Sequence, residues 1–444
     1  MTAPAAARIG QDVCSEHAYV AEAAGASVRA GMTPSQTAGS GIRAGSPDGP
    51  AGLTVRRRSL ADAAAIEPAW RDLACRALEP NVFLGPDVLP PRLAAFAPAA
   101  ELVTVEAPDG RLVLLAAVAR RRIGFGLTGR VAALWSDDYA PLGTPLVASD
   151  GPGGAEAAWM ALLSDLSDRG GGWLGAFALP DQRLDGPVHE AFVQAARRLG
   201  LAWARHGSHA RAALAGQRSP EAHRLAAIEP RRRKEYARQS RRLAEQGHLV
   251  ADAATDPDDI RAAFVDFLAL EAAGWKGRSG TALRQEPAAL AFVEAAVEAL
   301  GRTGALTIDR LRLDGRPIAL LLRVRDGGSA WPWKIAYDEA HAAQSPGVQI
   351  MLQATARLLD DPGFRLADSL AVAGHPMIEH LWRERIQIGT LIVGPAGRGH
   401  FGVRLKGLEF ELHDRARARA RGLRDALRAR FGSRRKAQRT GPPA

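Results

Sequence analysis

Hydrophobic and polar positions follow an order along this chain that occurs twice. From Leu53 the first half reads as a strand, two helices, three strands, a helix, a strand, a helix and a strand. Helical stretches such as LADAAAIEPAWRDLACRAL carry apolar residues at three-to-four spacing, and strands are short apolar runs such as RLVLLAAVARRRI. The second half, from about residue 248, runs through the same order. Because a mixed sheet with helices on both faces would bury these elements, the pattern predicts an α/β fold built from two similar halves.

Turn residues predict a meander in the middle of each half. The turn at 108–110 joins two strands of the first half, and the turn at 314–315 does so in the second. The next strand is predicted at RVAALWSDDYAPLGTPLV in the first half and at SAWPWKIAYD in the second, with closing strands near IGTLIV and HFGVRLKG. Between the halves, PEAHRLAAIEPRRRKEYARQSRRLAEQG predicts a helical arm that restarts at Pro230. Its RRRK run suits an exposed linker helix or, alternatively, phosphate binding.

The amino-acid composition predicts a tail outside the folded region at each end of the chain. The chain has 444 residues, 47% hydrophobic and 24% charged, as in soluble globular proteins. Residues 1–50 are rich in Ala, Gly, Ser and Pro, which predicts a disordered segment. The predicted organisation is an N-terminal half over 51–216, the helical arm over 217–247, a C-terminal half over 248–410 and a basic tail over 411–444.

The net charge of +10 is concentrated in that basic tail. Between Asp414 and Arg439, eleven Arg or Lys accompany two Asp, a local net charge of +9. The rest of the chain is close to neutral. A solvated, partly helical tail is one interpretation, and contact with an acidic membrane surface or with RNA is the other.

Several classes of protein are disfavoured. No apolar run reaches the roughly 18 residues that span a bilayer, so no transmembrane segment is expected. The two cysteines form neither a disulfide framework nor a metal-ligand pattern, and no metal is expected. These features favour a cytoplasmic protein, with peripheral membrane contact through the tail as a second expectation.

Two strings in the second half resemble a known family. FLALEAAGWKGRSGTAL and WKIAYDEAHAAQSPGVQIML are similar to the bacterial acetyltransferase family associated with the CelD-type cellulose-biosynthesis protein. The order of strands and helices resembles the GNAT acyltransferase fold, and its duplication resembles the FemAB-like tandem arrangement. The resemblance covers roughly 53–410 and rests on LWSDDYAPLGTPL before residue 230. It implies two tandem GNAT-like domains with mixed central sheets, linked by a helical arm.

The resemblance also implies a place for acyl-CoA, expected to be acetyl-CoA. In a GNAT fold the fourth strand, here 331–338, splays from the fifth, and the helix that follows presents amides to the pyrophosphate. Free N–H groups and the helix dipole favour an anion there. Two residues depart from the usual phosphate loop: Gln349 replaces its small residue, and Pro346 lacks a backbone N–H. The alternative acyl donor is therefore aminoacyl-tRNA, which FemAB-like relatives use. The expected cofactor-binding residues are Ile335, Ala336, Gln344, Ser345, Gly347 and Val348.

Lysines mark the expected reaction centre. Of 58 Lys and Arg only five are lysines, yet Lys276 and Lys334 each follow a tryptophan. Strand alternation predicts Trp333, Ile335 and Tyr337 on the core side and Lys334 with Asp338 on the wetter side, a buried ion pair without function being the alternative. The loop GWKGRSG is expected to close over an acceptor. The expected catalytic residues are Glu271, Lys334, Tyr337 and Asp338, and the expected substrate-binding residues are Trp275, Lys276, Arg278 and Asp368.

These expectations combine into an acyl-CoA-dependent N- or O-acyltransferase. Its acceptor is expected to be a sugar or polysaccharide precursor of envelope or exopolysaccharide biosynthesis. Two alternatives stay open: a FemAB-like transferase that uses aminoacyl-tRNA, and a non-catalytic GNAT-fold subunit of a polysaccharide system. The first half is expected to lack a cofactor site.

Overall fold

The computed structural model describes residues 52–169, 175–395 and 399–438, the side chains of residues 418 and 421–438 excepted. The predicted N-terminal tail (1–50) and the end of the basic tail (439–444) lie outside the described residues.

The first half follows the predicted order of elements. Strands and helices alternate because apolar residues recur with a period of two in the former and of three to four in the latter. The elements are β1 (Thr54–Arg58), α1 (Ala63–Arg76), α2 (Leu89–Phe96), β2 (Glu101–Glu106), β3 (Leu112–Arg122), β4 (Arg130–Leu134), β5 (Leu146–Val147), α3 (Gly154–Arg169), β6 (Phe177–Arg183), α4 (Pro187–Arg198) and β7 (Ala202–Ala215).

The arm and the second half follow. The predicted restart of the arm is confirmed, because α5 ends at Ala227 and α6 begins at Pro230, a residue suited to the first helical turn. The elements are α5 (Pro220–Ala227), α6 (Pro230–Ala244), β8 (Leu249–Ala254), α7 (Pro257–Ala273), α8 (Trp275–Ser279), α9 (Pro287–Arg302), β9 (Leu306–Leu313), β10 (Arg316–Asp326), β11 (Ser329–Tyr337), α10 (Pro346–Leu359), β12 (Leu366–Asp368), β13 (Glu384–Gly394) and α11 (Gly399–Gln438).

Both halves contribute to one sheet. In the described part of the chain the strand order is β1-β2-β3-β4-β6-β13-β7-β12-β11-β10-β9-β8, with β5 paired to β3. The last strand of each half is exchanged, since β7 pairs with β12 of the second half and β13 pairs with β6 of the first. These two strands also pair with each other along most of their length. The two halves are therefore joined by a continuous backbone hydrogen-bond ladder.

Helices cover both faces of the second half of the sheet. On one face Phe267 of α7 and Phe292 of α9 pack in a buried cluster with Trp331. On the other face Ile350 of α10 packs with Leu321. The first of these clusters also contains buried residues of the first half, namely Val82, Phe83, Val88, Ala140 and Leu142. The core of the second half is thus completed by the first.

Two predicted strands are wrong. The run at 130–147 is two short strands separated by a loop, because Asp137 accepts hydrogen bonds from the N–H groups of Tyr139 and Ala140 and so stabilises a turn. HFGVRLKG forms the start of α11, not a strand. Buried Val403, Lys406 and Glu409 recur there at the helical spacing of three, which the glycines obscured in the sequence.

Candidate active site

An opening in the sheet lies between β11 and β12. Residues 329–330 of β11 pair with residues 366–367 of β12, and the register of these parallel strands ends there. The strand β11 then continues to Tyr337 beside β10. Within the described residues, the edge of β11 that faces β12 is therefore open beyond residue 330.

Backbone groups of β11 point into this opening. The N–H of Asp338 donates to the carbonyl oxygen of Ile318 in β10 at 2.8 Å. Because hydrogen-bonding directions alternate along a strand, the N–H and C=O of Ile335 point away from β10. Those of Ala336 point towards β10, and its methyl group is buried in the core on the α7 side.

A cavity of about 1540 Å³ passes through the opening. It is lined by Ile335 and Val348 on the α10 face of the sheet and by Glu271 and Trp333 on the α7 face. Of the residues predicted for the site, the lining includes Glu271, Trp275, Lys276, Lys334, Ile335, Tyr337, Ser345, Gly347 and Val348. It does not include Arg278, Ala336, Asp338, Gln344 or Asp368.

The start of α10 forms the wall of the cavity on one face. Ser345 is the N-cap residue, but its backbone is left-handed (φ 51°) and its hydroxyl makes no capping hydrogen bond. The N–H groups of Val348 and Gln349 donate to the Ser345 carbonyl oxygen at 2.9 and 3.1 Å. The N–H of Gly347 has no helical acceptor at this position. A Cβ at Gly347 would lie 3.4 Å from Tyr337, which shows how closely this backbone approaches β11.

Basic residues of the arm face the same part of the cavity. Arg231, Arg232, Lys234 and Arg238 of α6 all line it. The arm is held against α10 by a hydrogen bond from Gln349 Nε2 to the carbonyl oxygen of residue 236 at 3.0 Å. Three residues of the RRRK run are therefore part of the cavity wall, whereas Arg233 donates to the carbonyl oxygens of Leu225 and Ile228.

On the opposite face, Glu271 and Lys276 form a buried ion pair. The Lys276 Nζ donates to Glu271 Oε1 at 2.7 Å, and the N–H of Leu283 donates to Oε2 at 2.9 Å. Burial acts to raise the pKa of Glu271, but the charges of Lys276 and Lys334 and these hydrogen bonds outweigh it and lower the pKa. An ionised carboxylate held in this way is a weak base, which disfavours general-base catalysis by Glu271, one of the expected catalytic residues.

Lys334 lies beside that pair. Its Nζ is 4.5 Å from the centre of the Tyr139 ring and 5.9 Å from that of Trp333, close enough for cation–π contact. Burial, and next the charge of Lys276, lower the pKa of Lys334 to about 8, against the opposing effect of Glu271. Among the described residues no hydrogen-bond acceptor holds this ammonium group.

The predicted alternation along β11 is wrong at one residue. The register with β10 shifts at Trp333, which forms a β-bulge. A bulge places two consecutive side chains against one on the partner strand. Trp333 therefore packs on the α7 side with Lys334, and its Nε1 donates to the Tyr139 carbonyl oxygen at 2.8 Å. Ile335 and Tyr337 pack on the α10 side, as the alternation predicted.

The remaining predicted residues are engaged elsewhere. Asp338 accepts a hydrogen bond from the N–H of Ala340 at 2.9 Å and begins the turn 339–344. Glu339 accepts from the N–H of Trp275 and from Arg278 Nη2, both at 2.6 Å, so the predicted loop is a short helix tied to this turn.

Asp368 is also paired. Its Oδ2 is 3.1 Å from Arg211 Nη1, and its Oδ1 accepts from the N–H of Leu370 at 2.9 Å. The same guanidinium donates to the Pro141 carbonyl oxygen at 3.0 Å. Asp368 therefore connects β12 to the loop of the first half, next to the cavity rather than in its lining.

Comparison with known proteins supports the fold. Residues 230–374, about a third of the chain, match the family described as acetyltransferase (GNAT) domain. The matched segment is similar to a GNAT domain, and the first half of the chain repeats the order of elements seen in the second. The matched region contains β11, the opening and the start of α10. The match also supports acyl transfer as the class of reaction.

Solved structures with similar shape include two proteins from named bacteria and FemX. A conserved protein of unknown function from Bacteroides thetaiotaomicron is 12% identical with a TM-score of 0.49, covering 76% of this chain and 97% of that one. The C-terminal domain of a putative lysylphosphatidylglycerol synthetase from Agrobacterium fabrum is 11% identical with a TM-score of 0.46, covering 77% and 95%. FemX is 10% identical with a TM-score of 0.46, covering 73% and 95%.

Because all three TM-scores are below 0.5, these similarities identify neither the acyl donor nor the acceptor of this chain. Among curated proteins, none matches the sequence of this chain. No helix in the described part of the chain is long and apolar enough to cross a membrane.

The GNAT-like second half also receives residues that the sequence analysis missed. The loop after β4 carries Asp137, Asp138 and Tyr139 into the cavity. Asp137 pairs with the fully buried Arg92, whose Nε lies 3.0 Å from Oδ2. The string SDDY was noted as part of the family resemblance, but interpreting it as a strand concealed its role in the cavity.

Asp138 differs from its neighbour. Water reaches its side chain through the cavity, and no described residue donates a hydrogen bond to its carboxylate. Burial by the surrounding protein and the charge of Asp137 raise its pKa, while Arg417 opposes them. A carboxylate that faces a cavity and gains affinity for protons is a better candidate base than Glu271.

Proposed function

We propose that this chain transfers an acyl group from acyl-CoA, most simply acetyl-CoA, to an amine or hydroxyl group of the acceptor. The observation that carries the proposal is the opening between β11 and β12. It exposes the backbone of Ile335 and leads to the start of α10 with the Gly347 amide. The match of this segment to the acetyltransferase (GNAT) domain family supports the same conclusion.

The charges around the cavity suit a CoA molecule. On the α10 face the helix N-terminus and Arg231, Arg232 and Lys234 would neutralise the pyrophosphate. The pantetheine amides would pair with the open backbone edge of β11, as a strand pairs with a sheet edge. The thioester would then lie where the cavity crosses the sheet, near Lys334.

The residues on the α7 face would carry out the transfer. The acceptor's nitrogen or oxygen attacks the thioester carbonyl carbon, and its proton passes to Asp138 directly or through water. The Lys334 ammonium stabilises the negative charge that develops on the carbonyl oxygen. The C–S bond then breaks, and Tyr337, which lines the cavity on the α10 face, donates its proton to the thiolate. Asp138 then releases the proton it took up to solvent, and Tyr337 is reprotonated from solvent. In this scheme Glu271 holds Lys276 in place and is not the base.

A sugar-containing acceptor, as in a polysaccharide precursor, is supported by the aromatic lining. Phe96, Trp135, Tyr139, Trp275 and Trp333 all border the cavity. Flat aromatic faces pack well against the C–H-rich faces of sugar rings. The cavity of about 1540 Å³ is also larger than the few hundred Å³ that a small acceptor needs alone.

Calorimetric titration and a thiol-release assay test the proposal. The full chain is titrated with acetyl-CoA, with CoA and with bulk tRNA, and CoA release is then followed with a panel of amino sugars and sugar nucleotides. We expect micromolar binding of both CoA species and thiol release with at least one sugar acceptor. Salt-sensitive tRNA binding without CoA binding would instead indicate an aminoacyl-tRNA donor. Binding of neither would leave a non-catalytic subunit.

A further inference from the structure

Large apolar side chains are exposed where α11 meets a loop of the first half. In the loop, Phe125 is 48% exposed and Leu127 is 82% exposed. On α11, Phe401 is 68%, Leu408 53% and Leu412 48% exposed. Single exposed apolar residues are ordinary, but five in two adjoining segments need a physical account.

The two segments are fixed to each other. The N–H of Leu127 donates to Glu409 Oε1 at 2.8 Å, and the Phe125 ring packs edge-on against His413 at 5.0 Å. Below them Lys406 Nζ, fully buried, donates to Thr128 Oγ1 at 2.7 Å. The loop tip is thus held against α11 by buried polar contacts. Its apolar side chains point outward while the loop backbone stays anchored.

The exposed residues of α11 lie along one line. At 100° per residue, positions 401, 408 and 412 fall within about 40° of one another. The inward residues Lys406 and Glu409 lie on the adjoining face, which contacts the loop. Phe401, Leu408 and Leu412 therefore form an apolar stripe beside the loop tip, and we call the stripe and tip together the α11 patch.

Positive charge surrounds this patch. Arg404, Arg415 and Arg419 of α11 are exposed along the same side of the helix, and Arg122 and Arg130 are exposed at the ends of the loop. Glu411 is the acidic neighbour, and it lies 3.4 Å from Arg415. The helix continues to Gln438, and the sequence from Asp414 to Arg439 has a local net charge of +9.

We infer that the α11 patch docks on an anionic phospholipid bilayer. An apolar stripe flanked by arginines is the arrangement with which an amphipathic helix lies in the headgroup region. RNA would be bound by the arginines and could stack bases on Phe125 and Phe401, but it would gain nothing from the three exposed leucines. Arg417 of α11 lines the active-site cavity, but at 100° per residue it lies on the side of the helix opposite the stripe, so the cavity faces away from the docked surface.

Flotation of the full chain with vesicles tests this inference. We expect the protein to float with vesicles made of phosphatidylcholine and phosphatidylglycerol in equal parts, and not with phosphatidylcholine alone. The triple variant Leu127→Ser, Leu408→Ser, Leu412→Ser retains every arginine, and we expect its partition coefficient to fall roughly tenfold or more. Because all three side chains are exposed, the thermal unfolding midpoint should stay unchanged.

Leu225→Ser is the matched control. Leu225 is 52% exposed on α5, away from the patch, and its replacement should leave vesicle binding unchanged. If the triple variant floats as well as the unaltered chain, the apolar stripe has no role and the inference is wrong. It is equally wrong if the unaltered chain binds tRNA but no vesicle. Since these experiments use no CoA, their outcome is independent of the proposed acyl transfer.

Discussion

At the scale of single residues, two lysines in the same sequence context have different surroundings. Both Lys276 and Lys334 follow a tryptophan, but only Lys276 has a carboxylate within hydrogen-bonding distance among the described residues. Lys334 contacts aromatic rings instead and has a pKa of about 8. Lys276 therefore has a charged partner, whereas burial lowers the pKa of Lys334 and so disfavours its charged form in the folded chain.

Replacing Lys334 should reveal that cost. Lys334→Met should raise the free energy of unfolding at pH 7 by about 1–3 kcal/mol, because a buried cation is replaced by an apolar chain of similar length. Between pH 8 and 10.5 the unfolded chain holds a proton that the folded chain has lost, so the stability of the unaltered chain rises with pH there. The gain from Lys334→Met should therefore shrink across that window, as measured by urea unfolding at a series of pH values.

Lys276→Met is the matched control for that experiment. It leaves Glu271 buried without its partner, so it should lower stability by roughly 2–4 kcal/mol. Turnover should fall in both variants. A stability loss in Lys334→Met similar to that in Lys276→Met would show that Lys334 is also a structural ion-pair residue.

The proposed base gives a second prediction at this scale. Asp138→Asn should lower kcat roughly 100-fold or more, with little change in stability, because no described residue donates a hydrogen bond to the carboxylate. A base works only when it is deprotonated, and the pKa of Asp138 is raised. The acid limb of the pH–rate profile of the unaltered chain should therefore lie above the ordinary Asp pKa of about 4. In Asp138→Asn this limb should be absent.

Asp137→Asn separates catalysis from folding. Asp137 pairs with the fully buried Arg92, so its replacement should lower the unfolding midpoint. The acid limb should persist but move to lower pH, because, in addition to burial, the charge of Asp137 raises the pKa of Asp138. An unchanged pH profile in Asp138→Asn would remove Asp138 from the mechanism.

At the scale of elements, the separation of β11 from β12 and the start of α10 form the part of the cavity that we propose binds the acyl donor. The backbone of Gly347 lies close to Tyr337 and Ile335, both of which line the cavity. A methyl group there would meet these side chains at 3.4 and 3.7 Å, which the fold tolerates. The same methyl group would stand between the helix amide and an approaching pyrophosphate.

Gly347→Ala should therefore weaken CoA binding without unfolding the protein. We expect the Kd for CoA to rise about tenfold, since a phosphate contact to a helix N-terminus depends on close approach. Gly301→Ala in α9 is the matched control. Its methyl group would also meet neighbours at ordinary distances, 3.5 Å and beyond, but far from the cavity. Calorimetric titration of both variants with CoA tests this prediction. Equal affinities of the two variants for CoA would exclude Gly347 from the CoA site.

At the scale of the whole molecule, the exchange of β7 and β13 makes the two halves one structure. Ile388 of β13 is fully buried and pairs with Arg183 of β6 and His209 of β7. The core beneath α7 and α9 also contains Phe83, packed edge-on against Trp331 at 5.7 Å. Because neither half has a complete sheet or core alone, they should unfold together.

Ile388→Ala tests this cooperativity. The variant should lose about 2–4 kcal/mol of stability. Tryptophan fluorescence, near-ultraviolet circular dichroism and calorimetry should report one shared transition for the unaltered chain and for the variant. Two separate transitions, only one of them shifted by the substitution, would show that the halves fold independently.

Much of the fold was predictable from local patterns. The order of elements, the meanders and the restart of the arm at Pro230 follow from periodicity and from turn residues, which act over a few neighbours. The strand predicted over 130–147 and the start of α11 were wrong, because turns at Asp137 and a helix rich in glycine give weak periodic signals. The bulge at Trp333 was not predictable either, since it depends on the register with β10.

The sequence by itself determined which elements form, the family resemblance of the second half and the expectation that Lys276, Lys334 and Gly347 lie near one site. Only the tertiary structure decided that Asp138 and Tyr139 enter the cavity lined by those residues, that Glu271 is held by Lys276 and that α6 forms part of the cavity wall. The reason is physical. Periodicity reports the face of an element that is buried, whereas the composition of a cavity depends on strand exchange and loop paths between residues far apart in the chain.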